Sequence, residues 1–180
     1  MVQFMSDSKT LKESHERVKK LLTIKPEKGQ YTTTTKVRVL NGTTCDVEHK
    51  HWKFKADIGK EEGGKDAGPG PGVLQRGALG SCLAIGYAKW AAVLDVPIDG
   101  IEVDVEAEVD ARGAYGMDGI EPGYKGLKYK VYIESQASEE EIMKVIEEAD
   151  KCSPILADFR KPIRIERNIN IAETDEKAGV

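Results

Sequence analysis

Hydrophobic positions along this chain change period several times, and each change marks an element. Leu11, Val18, Leu21 and Leu22 recur near helical spacing, with Ser8 placed to cap them and Pro26 and Gly29 to stop them. This predicts an amphipathic helix over about residues 8 to 22 that packs its apolar stripe on its own domain. Residues 31 to 57 read as strands. Asn41-Gly42 separates KVRVL from TTCDVEH and predicts a tight hairpin with both turn residues at positive φ. Beyond it, parity puts Cys45 and Val47 on one face and Trp52 and Phe54 on the other, so a bulge or break is expected near Lys50.

The stretch GKEEGGKDAGPGPG, residues 59 to 72, is a loop by composition and contains no phosphate-binding signature. From about residue 73 to 95 the chain is apolar on nearly every side, the mark of a central, buried helix, and its small residues (Gly77, Ala78, Gly80, Ala84, Gly86) permit close approach by neighbouring backbone. Pro97 and Gly100 end it. A strict alternation follows, with Ile101, Val103, Val105, Ala107, Val109 and Ala111 between acidic residues. Its counterpart sets Leu127, Tyr129, Val131 and Ile133 against Lys128 and Lys130, so antiparallel pairing lays opposite charges side by side on a solvated face. Ser138 and Glu141 form a capping box that opens a helix to about Lys151. Cys152-Ser153-Pro154 breaks that helix, and Ile155 to Phe159 suit a short second one. Ile163, Ile165, Ile169 and Ile171 predict a final strand, and residues 173 to 180 a polar tail. Strands in hairpins with helices between the pairs define an α+β fold on antiparallel sheets.

Composition narrows the function classes. The 180 residues contain 27 basic and 31 acidic side chains, a net charge of -4, which argues against a nucleic-acid binder. The basic excess lies in the first thirty residues, at +3. No apolar run is long enough for a membrane helix, and Met1 to Asp7 lack the apolar core of a secretory signal, so a cytoplasmic location and no membrane partner are expected. The cysteines, Cys45, Cys82 and Cys152, are too few for a disulfide scaffold. Cys45 shares a strand face with His49 and His51, but their spacing matches no standard zinc pattern, and no metal or other cofactor is expected. Cys82 sits within the apolar helix, where a thiol is either small hydrophobic filler or a reactive group.

The order of these features carries more than any one of them. An aromatic strand ending in Asp57 leads to the loop GGKDAGPGP, then to a helix bearing ALGSCL, a long alternating strand, a Ser-capped helix and CSPILADFRKPIRIE. Over about residues 31 to 172 this resembles the OsmC/Ohr superfamily of osmotically inducible and organic hydroperoxide resistance proteins. The resemblance implies an OsmC-like domain there, following a basic N-terminal arm (residues 1–30) and preceding a polar tail (residues 173–180). It implies an intertwined homodimer with a central buried cysteine-bearing helix and active sites at the subunit interface. It also implies a thiol-dependent peroxidase that takes an organic hydroperoxide substrate and a dithiol reductant. The family's peroxidatic cysteine falls on Cys82 and its second-cysteine segment on Cys152. Its thiolate-stabilising arginine falls on Arg38, the only Arg between Tyr31 and Gly72, with Arg76 a weaker candidate.

Two departures bear on mechanism. Where family peroxidases have a Pro-Glu step ten residues before the cysteine, this chain has Pro71-Gly72, leaving Glu61 or Glu62 as the nearest loop carboxylates. Where the family has Cys-Pro, this chain has Cys152-Ser153-Pro154, which puts Ser153 in register and moves the thiol one residue earlier. One residue at a helix end turns a side chain by roughly 100°. These departures leave open a second reading, a non-peroxidase member of the fold that binds an apolar or thiol-reactive small molecule. An interaction role for the basic N-terminal helix is a third.

Overall fold

The computed structural model describes residues 8–171. Helix α1 (Ser8–Ile24) forms on the expected stripe and lies along the longest helix, α2 (Pro71–Val93). The His15 ring meets the Trp90 indole edge-on at 5.4 Å, and Lys12 pairs with Asp95 just past the end of α2. No residue of α1 is buried, so docking covers its apolar stripe only in part.

Strands β1 (Lys36–Asn41), β2 (Thr44–His49) and β3 (Trp52–Ala56) form an antiparallel sheet in that order. The first turn differs from expectation. Asn41 pairs with Thr44, the turn residues are Gly42 and Thr43, and of these only Gly42 has a positive φ, 62°. A register irregularity between Val39 and Asn41 absorbs one residue and moves the turn along the chain. Glycine takes the left-handed conformation without a Cβ penalty, so the asparagine is not needed for it. The break expected near Lys50 is a second reversal, with Lys50 itself left-handed at φ 52°. His49 then faces Trp52, Val47 faces Phe54 and Cys45 faces Ala56. Paired residues share a face, so the parity conflict disappears. The result is an apolar sheet face on which Val37, Val39, Trp52 and Phe54 remain exposed.

Strands β4 (Gly100–Val109) and β5 (Tyr124–Glu134) form the second antiparallel sheet. Its inner residues Ile101, Val103, Val105, Leu127, Tyr129 and Val131 pack on Leu79, Leu83 and Tyr87 of α2. The small residues of α2 are used here: a Cβ on Gly80 would sit 3.3 Å from Val105. On the outer face Glu106 bonds Lys128 at 2.8 Å and Lys130 at 2.7 Å, and these donors lower its carboxyl to about 2. The alternation expected to reach Ala111 ends at Val109. Asp110 instead caps the short helix α3 (Ala111–Ala114) by accepting the Arg112 N–H.

Helix α4 (Glu139–Lys151) opens with the expected capping box: the Ser138 hydroxyl accepts the Glu141 N–H, and the Glu141 carboxylate accepts the Ser138 N–H. Helix α5 (Pro154–Arg160) follows after the break. The strand expected over Ile163 to Ile171 does not form. Among the described residues no strand pairs with the segment, and Ile165 is 87% exposed. Extended backbone needs a neighbour to satisfy its N–H and C=O groups as a ladder, and none of the described strands is placed to do so here. The tail read over residues 173 to 180 lies outside the described residues.

A polar clamp crosses the core. Tyr87, 0% exposed, donates its hydroxyl to one oxygen of Asp150 at 2.9 Å, and Tyr129 donates to the other at 2.7 Å. Burial, and then the bond to the Asp150 carboxylate, push both phenols upward, Tyr129 to about 12. The clamp joins α2, β5 and the last turn of α4. Removing the Tyr87 hydroxyl by Tyr87→Phe deprives the half-buried Asp150 carboxylate of one of its two donors. The expected loss is about 1.5–3 kcal/mol, the range for hydrogen bonds to charged groups. Urea unfolding checks it, and a midpoint unchanged from wild type would show the clamp to be energetically silent.

Candidate active site

The site begins with the carboxylate that shapes the approach to α2. Asp57, 3% exposed, directly follows β3. It accepts the hydroxyls of Thr43 (2.7 Å) and Thr44 (2.8 Å) and the backbone N–H groups of Ile58 (2.9 Å), Lys65 (3.1 Å) and Ala67 (3.4 Å). The bonds from Thr43, then Thr44 and the backbone, hold the carboxyl well below its ordinary range. Where the loop runs against the sheet there is no room for a side chain: a Cβ on Gly68 would lie 2.2 Å from the Lys55 carbonyl oxygen. Pro71, whose missing N–H has no partner to lose in a first turn, then starts α2.

Cys82 lies midway along α2, half-buried. Leu79, Leu83 and Tyr87 turn into the core, whereas Ile85 on the far side is 67% exposed. The helix expected to be buried on nearly every side is packed by β4, α1, α4 and α5 but leaves the strip through Ile85 open among the described residues. The Cys82 sulfur meets the Ser153 hydroxyl at 3.3 Å. Ser153, 5% exposed, is the cap of α5, and its Oγ accepts the Leu156 N–H at 3.3 Å. Because that N–H takes a lone pair of the oxygen, the hydroxyl proton is free to point at sulfur.

The other expected site residues lie elsewhere. Cys152 closes α4 with its side chain exposed. Arg38 is exposed on β1, paired across the sheet with Asp46, whose carboxylate bonds Lys55 at 3.0 Å. Among the described residues no hydrogen bond or ion pair joins Arg38 to α2. Arg76 donates to the Tyr124 hydroxyl at 3.3 Å, which in turn donates to the Gly72 carbonyl at 3.2 Å. This cluster stands where the family glutamate would begin: a Cβ on Gly72 would meet Arg76 at 3.4 Å and Tyr124 at 3.6 Å. Glu61 and Glu62 sit exposed in a short turn of the loop. Cys45 donates weakly to the Thr43 carbonyl at 3.5 Å, His49 engages the Thr34 carbonyl at 3.0 Å, and His51 lies against Trp52. Among the described residues no three such side chains gather as a metal-holding group, and no helix is long and apolar enough to cross a membrane.

Within one copy the structure brings together Cys82 and Ser153, and neither Arg38 nor Cys152 is bonded to that pair. The Asp150 clamp escaped sequence reasoning because Tyr87, Tyr129 and Asp150 lie far apart in the chain and each, taken alone, suits an ordinary helix or strand.

A cysteine on a long helix against one sheet, with a capped helix break at its sulfur, defines an α+β thiol protein. The model of the OsmC-like protein family matches residues 63–168, and the chain belongs to that family. Solved structures agree in fold. The OsmC-like protein from Mycoplasma pneumoniae superposes with a TM-score of 0.63 at 16% identity, covering 74% of this chain and 90% of that one. An organic hydroperoxide resistance protein OsmC from Legionella pneumophila gives 0.55 at 20% identity, covering 72% and 90%. An organic hydroperoxide resistance protein from Elizabethkingia anophelis gives 0.54 at 17%, covering 74% and 91%. No curated protein matches the sequence.

Asp57 makes a pH prediction. Its folded value lies below the unfolded one, so its contribution to stability is complete above the unfolded value of about 4 and is lost as pH falls through the folded value. Asp57→Asn is expected to be less stable than wild type at neutral pH, with the difference closing on acidification. Urea midpoints measured from neutral to strongly acid pH check this, and parallel curves would refute it.

Proposed function

We propose that the protein is a thiol-dependent peroxidase for organic hydroperoxides, acting in a reducing cytoplasm as a homodimer, with Cys82 as the peroxidatic thiol. The observation that carries this reading is the Cys82 sulfur, half-buried on α2 within hydrogen-bond distance of the Ser153 hydroxyl. In the first step the thiolate attacks the terminal peroxide oxygen. An S–O bond forms, the O–O bond breaks, and the departing alkoxide takes up a proton as an alcohol. The sulfur gives up an electron pair to the peroxide and becomes a sulfenic acid. The alkyl group needs an apolar surround, which the open side of α2 supplies at Ile85.

The dimer reading draws on apolar surface that one copy leaves uncovered: Val37, Val39, Trp52 and Phe54 on the first sheet, Ile85 on α2, and Ile163 to Ile171 after α5. Exposed apolar patches of this kind mark interfaces. In a dimer, Arg38 of one copy faces Cys82 of the other and supplies the cation that activates the thiolate. Cys152 is next to the contact on Cys82 in sequence, but its side chain is exposed and takes no part in this step.

A second reading is favoured by one feature, the Arg76–Tyr124–Gly72 cluster, which occupies the place of the family carboxylate. On this reading the dimer pocket binds a small apolar or thiol-reactive molecule without turning over peroxide. Steady-state consumption of cumene hydroperoxide with a dithiol reductant separates the two. Wild type is expected to be active and Cys82→Ser inactive. Arg38→Ala is expected to lose about 10–100-fold in kcat/KM, the equivalent of one charge-assisted contact. Equal near-zero rates for wild type and Cys82→Ser, together with a small molecule retained in native mass spectrometry, would establish the binding reading instead.

A further inference from the structure

We infer that the oxidised Cys82 is resolved by a small thiol from solution and not by a second cysteine of this chain. The inference rests on the peroxidase reading and deepens it by assigning the co-substrate class. The side chain in contact with the Cys82 sulfur is the Ser153 hydroxyl, at 3.3 Å. Ser153 is held there from three directions. Its Oγ caps α5 through the Leu156 N–H at 3.3 Å, its N–H donates to the Asp150 carbonyl at 3.4 Å, and its carbonyl accepts the Ala157 N–H at 3.0 Å. The Asp150 side chain is itself gripped by Tyr87 and Tyr129. Cys152 belongs to the same elbow but ends α4 with an exposed side chain, while Ser153 beside it is buried.

Bringing Cys152 onto Cys82 means exchanging these neighbours. A disulfide needs its Cβ atoms about 3.5–4.5 Å apart, so the exchange would turn the elbow, uncap α5 and pull Ser153 off the sulfur. An alcohol does not take over the resolving role, because it forms no S–S bond and the sulfenic acid it neighbours persists until a thiol arrives. Cys82 is half-buried within one copy and not enclosed, and on the peroxidase reading a hydroperoxide reaches its sulfur, so a small thiol has the same path. That thiol attacks the Cys82 sulfur, an S–S bond forms, the S–O bond breaks, and hydroxide leaves as water with the thiol's proton. A second small thiol attacks the outer sulfur of the mixed disulfide. It releases Cys82 as a thiolate and carries away a symmetric disulfide, so the peroxide's electron pair comes in the end from two small thiols.

The experiment uses the full-length protein, 2-mercaptoethanol as the probe thiol, and two oxidants. Diamide, which couples thiols without any peroxide chemistry, reports reach alone. Wild type is expected to form no Cys82–Cys152 disulfide within one chain, whereas Ser153→Cys is expected to form an internal disulfide to Cys82, seen by peptide mass. With cumene hydroperoxide, wild type is expected to give a dimedone-reactive Cys82 that becomes a 2-mercaptoethanol adduct. Cys152→Ser, at an exposed position, is expected to keep its turnover with that thiol within about twofold. A Cys82–Cys152 disulfide in wild type under either oxidant, or loss of turnover in Cys152→Ser, overturns the inference and leaves the peroxidase reading standing. Failure of Ser153→Cys to cross-link overturns the assigned contact. If diamide behaves as expected but peroxide leaves Cys82 unoxidised, the peroxidase reading falls and the peroxide cycle argued here falls with it.

Discussion

Asp150 organises more of this molecule than its place near a helix end suggests. Its two carboxylate oxygens take hydroxyls from Tyr87 on α2 and Tyr129 on β5, so one side chain ties the helix, the sheet and the end of α4 together. A carboxylate withdrawn even in part from water must have its lone pairs met, and two phenols meet them here without adding a positive charge. The main chain extends the effect: the Asp150 carbonyl receives the Ser153 N–H, so the same residue that locks the core sets the elbow between α4 and α5. The neighbour of Cys82 is therefore chosen by a contact formed three residues away from it in sequence.

The second constraint is cover. Helix α2 approaches β4 closely because Gly80 leaves room for Val105, and Leu79, Leu83 and Tyr87 close that side. Among the described residues the strip through Ile85 has no such partner. The first sheet and the segment after α5 likewise turn isoleucine, valine and aromatic side chains outward. Leaving a fully apolar side chain in water forgoes about 1.5–3 kcal/mol of burial each, so these surfaces favour association over an isolated copy. The proposed dimer answers all of them together and also accounts for an arginine on β1 that meets nothing on α2.

What could be read from the residues divides by the range of the interaction. Period and capping are local, and they located α1, the alternation of β4 and β5, the Ser138 box and the break before α5 at nearly their observed positions. Turn placement was less legible: Asn41-Gly42 signals a hairpin, but whether the reversal falls on that pair or one residue later depends on a register shift further up the strand. The isoleucines after residue 162 show a strand period yet form no strand here, because pairing depends on a distant edge lying alongside and none of the described strands does so. At the site, Ser153 and Cys152 were separable by register alone, since one residue turns a helical side chain through a large angle. The tyrosine clamp was not legible, since nothing local links three residues on three different elements.

Serine at position 153 performs two jobs that cysteine would perform unequally. As a helix cap it accepts the Leu156 N–H through oxygen, a role in which sulfur is a weak acceptor. As the neighbour of Cys82 it keeps a proton available for the sulfur and closes the site on that side. A thiol there would exchange the cap for a covalent route from peroxide damage to an internal disulfide. With oxygen there, the elbow can stay capped and clamped throughout the chemistry, because no backbone movement is required to bring a second sulfur of the same chain into place. On the proposed cycle, the capped elbow and the want of an internal resolver are two consequences of the same atom.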